Sequence, residues 1–283
     1  MSSQDISAAS SSSARPRPAA RQPGPGLAAR ALAAPGLVPV ATFVAILLVW
    51  EIACRVFAIP SFVLPAPSRI VEGFGAVSLG RWIEHIWATL SVALMGFALS
   101  IAIAIPIAVL LARSETLSRA LYPILVVIQS TPIVAVAPII IVVMGAGDAP
   151  RVAITCLITF FPLVVSTTTG LMATPPELIE LSRSLRAPAI REITQIRLPY
   201  AVPFIFSALK ISVTLAVIGA VVAEFVAAEK GVGYFIQFST SMFQIQQAWS
   251  GLVVLVLMSL ALFQLVNLAQ RLFFPWSLSE KGR

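Results

Sequence analysis

The sequence predicts an all-α, polytopic membrane protein with six transmembrane helices, and two observations lead to that prediction. Hydrophobic residues make up 58% of the 283 positions and charged residues only 11%, whereas a soluble domain is about 45–50% apolar and about 25% charged. The apolar residues also gather in runs of about 20, the length that a helix needs to cross the hydrocarbon. Because backbone groups in lipid must be bonded within their own segment, each run is expected to be helical.

The six spans follow one another within a single predicted transmembrane domain, residues 35–275. Four of the runs carry no charged residue, while the first contains Glu51 and Arg55 and the fifth contains Lys210 and, near its end, Glu224. Glu51 and Arg55 are four residues apart, so we expect them to form an ion pair on one face of the first helix. The predicted spans are residues 37–57, 86–111, 121–144, 152–172, 203–225 and 249–270.

The segments outside the spans indicate how the chain is oriented. Residues 1–34 are rich in Ser, Ala, Pro and Arg and are expected to be a disordered tail, and residues 276–283 form a second short tail. Arg and Lys are concentrated in the first tail, the loop at 113–119, the segment 174–199 and the C-terminus, which places both termini in the cytoplasm. The net charge of +7 is therefore explained by topology, and the expected partner is the lipid bilayer, with no nucleic acid.

The connection between spans four and five, residues 174–199, is unusually polar. It reads TPPELIELSRSLRAPAIREITQIRLP, and we call it the polar connection. Thr174, Pro175 and Glu177 match a capping box with proline at the first helical position. Leu198-Pro199 is expected to end a second short helix, residues 190–197, before the fifth span begins.

Each of these two predicted helices has an apolar and a charged face. In the first helix, Leu178, Leu181 and Leu185 form one stripe, which we expect to rest on the underside of the bundle. Glu177, Glu180 and Arg183 form the other stripe, which would remain available for a partner. Helices this short are not stable alone in water, so both need a surface to lie against. An amphipathic loop lying in the lipid headgroups is the simpler alternative.

The spacing in the polar connection resembles the EAA signature found in permease subunits of bacterial ABC importers. That signature reads E-A-A, three residues, G, nine residues and I-x-L-P. Here Glu180-Leu181-Ser182 is followed at the same spacing by Arg186 and by Ile196-Arg197-Leu198-Pro199. Leu-Ser replaces Ala-Ala, and Arg186 replaces a glycine that permits a left-handed turn.

The resemblance extends over roughly residues 36–275. The stretches LPAPSRIVEGF (64–74), QSTPIVAVAPIIIVVMGAG (129–147) and KISVTLAVIGAVVAEFVAAEKGVGYFI (210–236) look like the nitrate, sulfonate and taurine branch of this family, and the last of them looks like members assigned to pyrimidine thiamine precursors. The resemblance implies a non-catalytic permease subunit in the bacterial inner membrane. It would carry a small polar or anionic solute by alternating access.

The resemblance also implies partners: a second permease copy, cytoplasmic ABC ATPase subunits and an extracytoplasmic solute-binding protein. No G-x-x-x-x-G-K-[ST] motif occurs in the sequence, so ATP and Mg²⁺ are expected on the ATPase chain and no cofactor or metal on this one. The residues that would contact the ATPase are Glu177, Glu180, Ser182, Arg183, Arg186, Ala187, Ile196, Leu198 and Pro199.

Polar positions inside the spans are the candidates for the translocation pathway, since hydrocarbon penalises them elsewhere. They are Gln129, Ser130, Thr131, Ser166, Thr167, Thr168, Ser212, Thr214 and Glu224. Hydroxyls in spans more often bond a carbonyl of their own helix or a neighbouring helix, which is the competing interpretation. Glu224 precedes a Gly231-Val232-Gly233 turn that resembles the family's periplasmic gate. We expect an interhelical hydrogen bond from it, with a cation or proton site as the alternative.

Three other classes of protein fit the sequence less well. A secondary transporter or channel driven by an ion gradient would favour charges at the membrane centre and an internal repeat, and the sequence offers few of the former and no repeat. A membrane scaffold would not need hydroxyl-rich, proline-broken spans. A membrane enzyme would need a catalytic constellation, yet His85 is the only histidine and Cys54 and Cys156 fall in separate spans. His85 is interpreted as a helix-end residue, and the cysteines as packing residues.

Overall fold

The computed structural model describes residues 37–278, and within that range it is built of helices, turns and short irregular segments, without a strand. The all-α prediction is therefore confirmed for the described residues. The predicted disordered tail at 1–34 and residues 279–283 of the second tail lie outside them. The described part of that second tail is ordered, because Ser277 ends a short 3₁₀ turn and its hydroxyl oxygen accepts a hydrogen bond from the Gln270 amide at 2.9 Å.

Eleven α-helices follow one another along the described chain, and a π-helical turn, Glu192–Arg197, lies between α8 and α9. Their bounds are α1 Leu37–Val56, α2 Pro67–Gly75, α3 Leu79–Arg113, α4 Glu115–Ser130, α5 Ile133–Met144, α6 Asp148–Met172, α7 Pro176–Ser184, α8 Ala189–Arg191, α9 Leu198–Ala227, α10 Val232–Ser241 and α11 Ile245–Phe273.

The chain divides into two units, residues 1–50 and 51–283. The described part of the first unit is the beginning of α1, which exposes apolar side chains such as Phe43 and Val49. In the second unit, Arg55 forms the expected ion pair with Glu51 at 2.6 Å. Glu51 also accepts hydrogen bonds from the backbone N–H and the hydroxyl of Ser68 at 3.0 and 2.8 Å, so it ties α1 to the first turn of α2.

The core of the second unit forms where α6 packs against α3 and α9. Glycine makes the close approach possible: a Cβ on Gly96 would lie 2.5 Å from the Cβ of Thr155, and one on Gly219 would lie 2.9 Å from the Thr155 Cα. Small residues at helix contacts are typical of membrane bundles, where packing rather than hydrophobicity drives association. The two cysteines are buried and free, as packing residues should be.

The number of membrane crossings depends on one bent pair of helices. Five helical segments are long and apolar enough to span a bilayer, and α4 with α5 makes a sixth only if the pair is one crossing. These two helices meet at 92° at Thr131-Pro132. In the structure the predicted span 121–144 is therefore divided into two helices at this bend, because proline lacks an N–H and clashes with the preceding turn.

A candidate coupling surface and a glycine turn at opposite ends of one helix

The first helix of the polar connection begins differently from the predicted capping box. Pro175 occupies the N-cap position without a side-chain cap, and Pro176 is the first helical residue. Thr174 is buried and donates its hydroxyl to the carbonyl of Leu171 at 3.2 Å. The Thr174 side chain therefore closes the end of α6, and the two prolines alone set the direction in which α7 starts.

Helix α7 ends in a Schellman motif centred on Arg186. The N–H of Arg186 donates to the carbonyl of Arg183 at 2.9 Å, and the N–H of Ala187 donates to the carbonyl of Ser182 at 3.0 Å. Arg186 has a φ of 52°, the left-handed conformation that this motif places after a helix and that glycine adopts without cost. Arg186 thus keeps the turn of the family signature although it is not glycine, at a cost of about 1 kcal/mol.

The apolar face of α7 does not lie where the sequence pattern suggested. Ile179 and Ser182 are the buried residues of the helix, whereas Leu181 is 56% and Leu185 73% exposed. Leu178 is half-buried. Ile179 and Ser182 therefore form the inward side of the helix, and Leu181 and Leu185 lie on its outward side. The prediction that the leucine stripe rests on the bundle is therefore wrong for Leu181 and Leu185.

The second half of the polar connection is continuous with the long helix α9. The N–H of Leu198 donates to the carbonyl of Ile193, five residues back, which closes the π-helical turn. Pro199 can donate no hydrogen bond, and such widened turns occur where a helix must accommodate a missing bond. The prediction that Leu198-Pro199 ends a separate helix is therefore wrong, and α8, the π turn and α9 form one segment, Ala189–Ala227.

An ion pair that the sequence analysis did not single out holds this segment in place. Glu192 pairs with Arg197 at 2.8 Å, and their side chains are only 17% and 14% exposed. Arg183 of α7 approaches Glu192 at 3.9 Å, and Arg197 reaches the carbonyl of Leu171 at 3.5 Å. Glu192 therefore links α7, the π turn and, through Arg197, the end of α6. Its i,i+5 spacing from Arg197 is not a helical pair, so the pattern alone could not reveal it.

A groove of about 570 Å³ opens between α7 and the beginning of the 189–227 segment. Leucine, proline and isoleucine side chains form its walls, and Arg186 and Arg191 add positive charge. Of the predicted coupling residues, Ser182, Arg186, Ala187, Ile196 and Pro199 line this groove. Glu177, Glu180, Arg183 and Leu198 are exposed and lie outside its lining. The structure thus gathers five of the nine predicted residues in one concave surface with an apolar wall.

The predicted pathway residues fall into two groups. Gln129, Ser130 and Thr131 are exposed at the bend between α4 and α5. The hydroxyls of Ser130 and Thr131 donate to the carbonyls of Val126 and Val127, at 2.8 and 3.0 Å. Both hydroxyls are therefore bonded within their own helix, next to the bend between α4 and α5.

The second group lies inside the bundle. Thr167, Thr168 and Ser212 are buried, and Ser166 and Thr214 are half-buried. Thr168 donates to Val164 at 2.8 Å and Thr214 to Ile211 at 2.7 Å, both within their own helices. Ser212 of α9 donates to the carbonyl of Thr159 in α6 at 3.2 Å. In this conformation the bonded hydroxyls serve helix packing, as the competing interpretation expects.

At the other end of α9, residues 228–233 form a connection to α10 that we call the glycine turn. Three successive backbone N–H groups of this turn donate to side chains of other helices. Gly231 donates to His85 Nδ1 at 3.2 Å, Val232 to Thr89 Oγ1 at 2.8 Å and Gly233 to Glu224 Oε2 at 2.7 Å. These groups would otherwise be unpaired at a helix start, so α3 and α9 together cap α10.

Two of these acceptors, His85 and Glu224, are residues for which the sequence analysis made a prediction. His85 is buried in the second turn of α3 and is a capping group rather than a residue at the helix end. Glu224 is 1% exposed and makes the expected interhelical hydrogen bond. A Cβ on Gly231 would overlap the Glu224 carboxylate, and one on Gly233 would lie 2.7 Å from its Oε2. The turn therefore requires glycine at both positions.

Comparison with known proteins identifies the family to which this architecture belongs. A family model described as binding-protein-dependent transport system inner membrane component matches residues 101–278. The chain is 33% identical to the formylaminopyrimidine transport permease protein ThiX of Halalkalibacterium halodurans, over 85% of this chain and 96% of the relative. It is 35% identical to the riboflavin transport system permease protein RibX of Chloroflexus aurantiacus, over 84% and 89%.

More distant similarities agree with these. The putative aliphatic sulfonates transport permease protein SsuC of Bacillus subtilis is 27% identical over 84% of this chain and 86% of the relative. Among solved structures, a chain of the inward-facing MetNI methionine ABC transporter superposes with a TM-score of 0.61 at 21% identity, covering 71% of this chain and 98% of that one. The helical bundle, its bent helix pair and the signature-bearing connection between α6 and α9 thus lead to one conclusion: the chain belongs to the family of inner membrane components of binding-protein-dependent transport systems.

Proposed function

We propose that the chain forms the translocation pathway of an ATP-driven importer for a small solute in a bacterial inner membrane. Two copies would enclose the pathway, with the polar connection and both termini in the cytoplasm. ATP and Mg²⁺ would be bound by separate ATPase subunits, and a solute-binding protein would deliver the solute from outside. The relatives' names concern a formylaminopyrimidine, riboflavin and aliphatic sulfonates, which supports a small solute as the cargo.

The groove beside α7 is the observation that carries this proposal. It combines an exposed leucine wall with basic side chains, and it lies on the connection that holds the family signature. Leu181 and Leu185 expose more than half of their surface there, and apolar side chains flanked by charge are typical of protein interfaces. The Schellman turn at Arg186 and the Glu192–Arg197 pair hold this surface in one shape, so a push from a docked ATPase would reach α6 and α9 directly.

Alternating access requires an inward-open and an outward-open state of the permease. A ligand shifts the equilibrium between them only if it binds one state more tightly than the other. At the bend between α4 and α5 and at the widened turn at 192–197, the helices depart from regular geometry. These two departures provide the hinges through which closure of the ATPases would be converted into movement of the bundle.

Co-purification tests the proposal. The tagged chain, expressed with the ATPase gene adjacent to it, should co-elute with that ATPase from detergent. Leu185→Asp places a charge on the groove wall and should abolish co-elution, and Glu180→Arg should abolish ATP-dependent uptake while the permease remains folded. Leu79→Asp is the matched control, because Leu79 is 74% exposed at the start of α3, near the other end of the bundle.

Uptake in proteoliposomes completes the test. Solute flux should require ATP inside the same compartment as the ATPase and should not follow an imposed proton or sodium gradient. Gradient-driven flux by this chain without the ATPase would instead establish a secondary transporter.

A further inference from the structure

One of the side chains that hold the glycine turn can lose its role by taking up a single proton. His85 Nδ1 accepts the Gly231 N–H at 3.2 Å, and the Thr89 hydroxyl accepts the Val232 N–H at 2.8 Å. A hydroxyl keeps its lone pairs near neutral pH, whereas a protonated imidazole donates from both nitrogens and accepts at neither. Protonation of His85 would therefore set N–H against N–H and remove the first bond of the turn.

Neighbouring rings hold the imidazole in its orientation. His85 is 9% exposed, and its ring centroid lies 5.4 Å from that of Phe235 and 6.3 Å from that of Tyr234. Phe235 packs in turn against Trp82 at 4.9 Å. A flip of the ring would not restore an acceptor, because both nitrogens of the charged form carry protons. The repulsion must therefore be relieved by movement of the turn itself.

A cavity beside the glycine turn gives protons a route to this ring. It has a volume of about 560 Å³ and lies between the beginning of α3, the glycine turn, α10 and the beginning of α11. His85 is part of its lining. In the proposed orientation the turn lies on the outer side of the membrane, where the pH follows that of the surroundings.

The charges that face His85 from the surrounding elements are balanced. Glu224 of α9 is bonded to Gly233, and Asp148 and Arg151 of α6 pair with each other at 2.7 Å. Helix α10 and residues 245–254 of α11 carry no charge, and the charged side chains of α2 line a different cavity. Two basic and two acidic residues of α3 and the turn share the cavity with His85: Arg81, Lys230, Glu84 and Glu229. No surplus of negative charge therefore favours an imidazolium while the turn is closed.

The start of α10 adds a second reason for the neutral form. Gly231 is the N-cap residue of this ten-residue helix, and a helix N-terminus carries a partial positive charge. A proton on His85 would place a charge of the same sign beside it. The closed turn therefore favours the neutral imidazole on two grounds, the lost acceptor and the helix dipole.

We propose that His85 is a pH-sensitive latch: the neutral ring holds the glycine turn closed, and protonation releases the Gly231 N–H and loosens the start of α10. A histidine exposed to water titrates near pH 6.5, so the closed turn is fully stable above about pH 7 and loses stability as the pH falls below that value. Because opening takes up one proton, the ratio of open to closed turn changes at most about tenfold per pH unit. The inference goes beyond the proposed function, since neither an ATPase nor a solute takes part.

The sequence allows a direct test, because His85 is its only histidine. The full chain is prepared without a histidine tag in lipid bilayers, and ¹⁵N-histidine labelling reports by solid-state NMR whether Nδ1 is protonated. In a second sample, Cys54 and Cys156 are replaced by alanine, and a nitroxide on Ala228→Cys reports the motion of the turn by EPR without altering its charge. Between pH 7.5 and 5.5 the charged ring and the mobile fraction of the label should rise with one midpoint, and the ratio of mobile to immobile label should rise at least about fivefold. A label on Thr116→Cys, which is exposed on α4, is the control and should not respond.

Three variants identify the titrating group. His85→Asn offers an amide oxygen near the position of Nδ1 and does not titrate in this range, so the label at position 228 should stay immobile at both pH values. His85→Phe has no acceptor, so the label should be mobile at both. Glu224→Gln keeps an acceptor oxygen for the Gly233 N–H but cannot ionise, and it should retain the pH response.

The latch is wrong if the turn stays immobile down to pH 5.5, whether or not the ring becomes charged, because the parent chain alone then shows that the two events are not linked. It is also wrong if His85→Asn responds to pH as the parent chain does, or if Glu224→Gln abolishes the response, which would assign the switch to Glu224. These measurements use the permease alone, so any of these results leaves the importer function standing, and loss of ATPase co-elution would refute that function without bearing on the latch.

Discussion

Replacing Gly231 by alanine should destabilise the protein strongly, and the structure gives two separate reasons. Gly231 has φ 127° and ψ 160°, a region that is essentially restricted to glycine and costs other residues of order 1–3 kcal/mol. The added Cβ would also overlap the Glu224 carboxylate. Displacing this carboxylate would leave the buried Gly233 N–H without its acceptor, which costs about 1–3 kcal/mol.

The two costs together amount to about 2–6 kcal/mol, and comparison variants separate them. Gly233→Ala meets Glu224 Oε2 at 2.7 Å without a positive φ, so it should lose only the second part. Gly80→Ala is the matched control, because its Cβ would have no neighbour within 4 Å, and it should be neutral or slightly stabilising. In the double variant Gly231→Ala/Glu224→Ala the overlap disappears, and only the backbone strain and the lost cap remain.

The assay is thermal unfolding of the purified chain in one detergent, followed by intrinsic fluorescence. At about 2–4 °C per kcal/mol, Gly231→Ala should lower the apparent Tm by at least about 5 °C, Gly233→Ala by less, and Gly80→Ala not at all. The reasoning is refuted if Gly231→Ala unfolds at the temperature of Gly80→Ala, since the turn would then accept a side chain where the structure leaves no space.

Three further predictions concern the polar connection. Arg186→Gly should stabilise the turn after α7 by about 1 kcal/mol, because glycine adopts the left-handed conformation without strain, whereas Arg186→Val should destabilise it. The apparent Tm and co-elution of the ATPase are measured for both variants. A glycine variant less stable than the wild type would contradict the Schellman geometry. Glu192→Ala leaves a largely buried arginine unpaired and should cost about 1–3 kcal/mol in unfolding free energy, whereas Glu115→Ala, in a pair that is 77% exposed on both sides, should change it by less than about 0.5 kcal/mol. In the Ile190→Cys variant the cysteine should react with a membrane-impermeant maleimide only after the cells are permeabilised, whereas in the Asp148→Cys variant it should react in intact cells. The reverse pattern would invert the proposed orientation.

Some features of the structure were predictable because their signals are local. The i,i+4 pair of Glu51 and Arg55 follows from helical spacing alone, and the register of the polar connection follows from the spacing of the family signature. The left-handed turn at Arg186 was left open by the sequence, because arginine replaces the glycine of that signature. The inward face of α7 was not predictable in this way. Leucine periodicity indicates which residues share a stripe, but whether that stripe or the one with Ile179 and Ser182 is buried depends on how α7 packs in the tertiary structure.

The glycine turn shows a second reason why some features could not be predicted from the sequence. Gly231 and Gly233 indicate an unusual backbone in the sequence, and Glu224 stands out as a charge at the end of an apolar run. The role of His85 and Thr89 leaves no such trace, because they lie about 145 residues away and meet the turn only after α3 packs beside α9.

The sequence by itself determined the membrane class, the order of the helices and the location of the polar connection, since these depend on hydrophobic length, proline positions and short-range spacing. Only the tertiary structure decided that the leucines of α7 face outward, that the second short helix runs on into α9, and that α10 is capped by three side chains from two other helices. Such features depend on contacts between distant segments, whose distances and directions are set when the helices pack and not by the residues of any one helix.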